Sequence, residues 1–139
     1  MILCCRLLSS QAEAVSGPCA YPQALVITPT RELALQIYNE ARKFAQGSMI
    51  KPAVAYGGTS TGYQARKLQD GCNILVATPG RLLDYVEKGR VGFKSLEFLV
   101  LDEADRMLDM GFMPEIQKCV ENENMPEKEK RYRWLDFLS

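Results

Sequence analysis

Two acids side by side, Asp102 and Glu103, follow directly on four apolar residues, Phe98-Leu99-Val100-Leu101. A carboxylate at the end of a buried strand is a fixed, partly dry negative charge. It suits an octahedral magnesium ion held through water and substrate phosphates. A second acid beside it can orient or deprotonate an attacking water. The same pair also fits a solvated turn or an acid that caps a helix. A second segment, Thr78-Pro79-Gly80-Arg81, reads as a helix start with proline at the first helical position. The first turn of a helix offers unpaired N–H groups and the positive end of the dipole, which suits a phosphate, and Arg81 adds a forked cation. Thr30-Arg31, after Pro29, repeats the arrangement. Gly57-Gly58 would let a ligand backbone approach closely, because no side chain intervenes. Taken singly, each segment also fits plain helix capping or turn geometry.

What gathers these segments is the order of elements around them. Ala24–Ile27, Ile74–Ala77 and Phe98–Leu101 are continuous apolar runs, the pattern of strands covered on both faces, and Pro52–Tyr56 is a further strand candidate. Leu33, Ile37, Ala41 and Phe44 recur at helical spacing before Gly47, and Thr30 is placed to cap that helix. A short polar helix is expected around Gly62–Asp70. Another carries Leu82, Leu83 and Val86 up to Gly89, and a last one starts at Pro114 and carries Ile116 and Val120. Strands alternating with helices predict an α/β fold, a parallel sheet with helices on both faces. In open parallel sheets, ligands sit beyond the carboxyl ends of the strands, where all four suspicious segments fall. None of their residues is a base-edge reader on a recognition helix. The expected contact is therefore to a nucleic-acid backbone and indifferent to sequence. Phe44, Phe93, Phe98 and Phe112 are expected in the core; Met107, Met110 and Met113 could line a groove, but packing between helices is the expectation.

Composition excludes several alternatives. The 139 residues carry 17 lysines and arginines, 17 aspartates and glutamates, and no histidine. A Ser-His-Asp triad, a Cys-His dyad and a histidine-containing zinc site are ruled out, as is a polybasic arm. Cys4, Cys5, Cys19, Cys72 and Cys119 form no CxxC pattern, so free thiols are expected rather than a disulfide framework. No apolar run approaches the roughly 18–20 residues of a membrane span, and a cytoplasmic location is the expectation.

ALVITPTRELALQ, AYGGTSTG, ILVATPGRLLD and FLVLDEADRMLDMGF, in this order, resemble consecutive motifs of the DEAD-box RNA helicases. The wording GCNILVATPGRLLDYV and LDEADRMLDMGFMPEI is most similar to the Vasa-like members, which implies a cytoplasmic and germ-granule setting. The resemblance covers residues 23–131 and implies a partial RecA-like domain of the P-loop NTPase type. Residues 1–22 read as a divergent loose leader and 132–139 as a divergent tail. The resemblance further implies ATP and magnesium as cofactors, with RNA-dependent ATP hydrolysis coupled to duplex unwinding. Pro29, Thr30, Arg31, Gly57, Gly58, Thr78, Pro79, Gly80 and Arg81 fall on motifs that hold the RNA backbone. Asp102 and Glu103 fall on the magnesium and water-activating acids, and Asp105 on the acid that communicates with a downstream Ser-Ala-Thr motif. No glycine is followed by lysine in this sequence, so the phosphate loop GxxxxGK[ST] has no counterpart, and Ser-Ala-Thr does not follow Arg131. Little or no ATP hydrolysis is expected from these 139 residues alone; the alternative role is a non-catalytic RNA-backbone-binding module. Phe98–Leu101 is expected to form an exposed apolar edge that invites self-association.

Overall fold

The computed structural model describes residues 16–58 and 61–121. Four parallel strands, β1 (Ala24–Ile27), β2 (Pro52–Ala55), β3 (Ile74–Ala77) and β4 (Phe98–Leu101), form one sheet in the order β2-β3-β1-β4. Among the described residues five helices accompany them: α1 (Arg31–Ala45), α2 (Thr61–Gln69), α3 (Pro79–Glu87), α4 (Ala104–Asp109) and α5 (Met113–Val120). Alternation along each strand splits the side chains between two cores. Ala24, Val26, Ile74, Val76 and Val100 pack on Ala34, Ile37, Tyr38 and Ala45 of α1. Leu25, Ile27, Leu75, Ala77, Leu99 and Leu101 face the other way, against Leu68 of α2, Leu82 and Tyr85 of α3, and Met107, Ile116 and Cys119 beyond them. This is the two-faced parallel sheet that the apolar runs predict.

The register places the strand ends in line. Ala55 lies opposite Ala77, Ala77 opposite Ile27, and Ile27 opposite Leu101. The ladder runs one residue further, with Thr78 N–H donating to Ala55, Thr28 N–H to Ala77 and Asp102 N–H to Ile27. The chain therefore leaves all four strands at one level. Three strand spacings, about 14 Å, separate the β2 exit from the β4 exit.

Several expectations are corrected. Residues 17–22 are no loose leader: Gly17 N–H donates to Gln69, Ala20 N–H to Arg90, and Gly92 N–H returns to Ala20, so this stretch is tied to the sheet domain. Phe44 is 53% exposed rather than in the core, because Ala34, Ala41 and Ala45 form the buried stripe of α1 and Phe44 lies off it. Met110 is likewise exposed, whereas Met107 is fully buried. α4 has no counterpart among the helices expected from the sequence; its six residues are too few to show a helical period. β4 is the expected edge strand, paired with β1 alone among the described residues, but Leu99, Val100 and Leu101 are buried, so the apolar exposure expected of it is corrected. Cys19, Cys72 and Cys119 are free thiols. No helix among the described residues is long and apolar enough to cross a membrane. The expectations for residues 1–15 and for the tail 132–139 lie outside the described residues.

Candidate nucleic-acid interface

β1 and β3 are neighbours, yet the chain leaves them towards opposite faces, into α1 from β1 and into α3 from β3. Such a reversal opens a crevice beyond the strand ends. A groove of about 410 Å³ occupies it, lined by Pro29, Arg31, Gly57, Thr78, Pro79, Gly80, Arg81 and Phe112. Three of the four segments singled out in the sequence therefore share one cleft. Thr30 does not line the groove; its Oγ1 accepts from Leu33 N–H at 3.3 Å and caps α1. Thr78 holds the N-cap position of α3 but makes no capping bond through its side chain. Gly58 has φ +83°, a left-handed conformation that glycine takes without strain. Among the described residues, and leaving aside chain neighbours and the helix's own backbone, no atom lies within 4 Å of where a Cβ would stand at Gly57, Gly58 or Gly80, so this surface is open to a ligand.

The two arginines are held from below. Arg81 Nη1 donates to Gln64 Oε1 at 3.1 Å, and its guanidinium lies 5.7 Å from the Tyr85 ring centroid. The same Gln64 oxygen accepts from Tyr56 N–H at 3.1 Å. Gln64 is 5% exposed, so one buried amide ties the end of β2, α2 and the first turn of α3 together. Arg31 sits 5.0 Å over the Tyr56 ring, which joins the start of α1 to the same point.

The acids occupy the far end of the row. Asp102 is half-buried, with its N–H bonded to Ile27 at 2.8 Å. Glu103 has φ 54° and ψ 51°, the one non-glycine residue with positive φ among those described. Its Oε2 lies 3.2 Å from Arg106 Nη1. Asp105 is exposed in the first turn of α4. None of the three lines the groove, although α4 and the turn after it bring Phe112 back to its wall.

Residues 4–135 match the DEAD/DEAH box helicase family. The chain belongs to that family. Its structure is similar to that of the yeast DEAD-box splicing factor Prp28, with a TM-score of 0.77 and 36% identity. That match covers 83% of this chain and 27% of the other, so the chain spans little more than a quarter of that relative's length. The RecA-like α/β fold expected from the motifs is the fold of this DEAD-box chain.

Members of this family use ATP and magnesium, and the residues here fit that pair only in part. Among the described residues, no group of three or more histidine, cysteine, aspartate or glutamate side chains is placed to hold a metal ion. Asp102 and Glu103 are only two acids, and Glu103 pairs with Arg106. Magnesium keeps most of its waters and leans on substrate phosphates, so these two acids by themselves do not make its site. Gln64 was not foreseen from the sequence, and Phe112, expected in the core and packed against it, was not foreseen on the groove wall. Gln64 sits in a polar stretch where nothing distinguishes a buried amide from a solvated one, and Phe112 resembles any core aromatic.

Proposed function

We propose that the groove between the starts of α1 and α3 grips the sugar-phosphate backbone of single-stranded RNA. On this reading the chain supplies the RNA-holding rim of an ATP-dependent RNA helicase. The observation that carries it is the pair Arg31 and Arg81 on one open cleft, whose floor includes the N-terminal turn of α3. Two guanidiniums and the first-turn N–H groups of Gly80 and Arg81 make a site for successive phosphates. Besides the two arginines, the walls are proline, glycine, threonine and Phe112, none of them presented on a helix that reads base edges, so the grip is indifferent to sequence. Asp102, Glu103 and Asp105 are the proposed acids of the ATPase half. They do their work in company with a phosphate-binding loop that this sequence does not contain. The segments GCNILVATPGRLLDYV and LDEADRMLDMGFMPEI support a place among the Vasa-like members, and with it a cytoplasmic setting.

Fluorescence anisotropy of oligouridylate against the 139-residue chain tests the grip. Affinity should fall with salt. Arg31→Ala and Arg81→Ala should each weaken binding and flatten the log–log salt slope by about 0.7 for each phosphate no longer neutralised. Binding that ignores both substitutions would remove the basis of the proposal.

A further inference from the structure

A second and larger groove, of about 1140 Å³, runs along β2 between α1 and α2. Tyr56 is where it meets the rim: its side chain lines this groove, while its ring carries Arg31 of the first. We infer that this groove continues the RNA track off the rim and takes the nucleotides that flank those held by Arg31 and Arg81. The inference rests on the proposed RNA grip.

Two kinds of side chain line the groove in the combination that single strands require. Tyr38, Tyr56 and Tyr63 supply ring faces; Tyr63 is 66% exposed, and Tyr38 carries the Arg42 guanidinium at 5.6 Å. Arg42, Lys51 and Lys67 supply positive charge against a single acid, Asp70, among the described lining residues. Lys51 Nζ already donates to the Asp70 backbone carbonyl at 3.2 Å, which holds that cation at the groove's edge. Cations that track phosphates, with aromatic faces between them on which bases stack, are how proteins bind single strands without reading sequence. Positive charge alone would equally suit an acidic peptide added to the β2 edge. The edge argues against that occupant. β2 is four residues long, opens with Pro52, and the N–H of Tyr56 just past its end is taken by Gln64. Little of it is left to template an added strand.

The test compares oligouridylates of about 5 and about 12 nucleotides, lengths that bracket a short and an extended single-strand site. Once divided by the roughly eight registers that a 5-nucleotide site finds on a uniform 12-mer, the wild-type affinity for the longer RNA should still be about tenfold higher. Arg42→Ala combined with Lys67→Ala should abolish that corrected gain and leave the short RNA unaffected. Tyr63→Ala, at an exposed position, should remove part of it. Equal affinities for the two lengths in the wild type after that division, or a corrected gain that survives both variants, would overturn the inference. So would an oligoglutamate peptide that binds the wild type and is lost in Arg42→Ala with Lys67→Ala while RNA length has no effect. If the short RNA is not bound, or is bound equally well by Arg81→Ala, the rim reading itself fails. That result is distinct from a rim that works without an extension.

Discussion

Replacing Gln64 with leucine isolates the part of the rim that orients rather than touches RNA. The change keeps the approximate volume but removes the oxygen that accepts from Tyr56 N–H and Arg81 Nη1. Two costs follow. The Tyr56 N–H loses its partner at a half-buried position, and the guanidinium loses a charge-assisted bond, so stability should drop by about 2 kcal/mol. For a domain of this size that lowers the melting midpoint by roughly 5–10 °C. Arg81 also loses the anchor that aims it into the groove. If that aim contributes about 1 kcal/mol to phosphate binding, RNA affinity falls about fivefold. A double-mutant cycle on RNA binding separates the two costs. Gln64→Leu, Arg81→Ala and the double variant are compared at a temperature where all are folded. Because Gln64 acts through Arg81, the double variant should bind no worse than Arg81→Ala. If the two losses instead multiply, or if Gln64→Leu melts lower yet binds RNA as wild type does, Gln64 is only a structural residue.

Burial pushes the thiols of Cys72 and Cys119 up from the ordinary 9.0 to about 12. Both are neutral in the folded state where the unfolded chain would already ionise. Their contribution to stability is therefore complete below about pH 9 and is lost as pH rises towards 12. Urea midpoints measured from pH 8 to 11 should fall, and a midpoint that rose over this range would contradict the assignment. In native protein at pH 8, both should resist alkylation until the chain unfolds. Glu103→Gly should raise stability by about 0.5–1 kcal/mol. It relieves a left-handed conformation that costs a non-glycine residue about 1–2 kcal/mol, less the glycine's own entropy. The Arg106 pair that this change removes is 53% exposed on the arginine side and adds little to the account. Chemical denaturation reads this directly, and a loss of stability would show that the strain is not there. Thr30→Ala removes the α1 cap and should cost about 1 kcal/mol; an unchanged midpoint would mean that another group satisfies Leu33 N–H.

The layers and the rim follow from the linear pattern of residues. Three continuous apolar runs and a further strand candidate, separated by helical periods, allow little besides a parallel sheet covered on both sides, because strands so apolar must bury both of their faces. Motif residues placed just after those runs were bound to lie at the carboxyl ends, since every strand runs the same way. Strand order, however, is a long-range choice. Only the folded chain puts β1 beside β3 and sends α1 and α3 to opposite faces, so that Arg31 and Arg81 share a cleft from which the acids are excluded. The buried role of Gln64 and the exposure of Phe44 were settled the same way. Local pattern records which residue types recur, but burial is decided by what packs over them from distant parts of the chain.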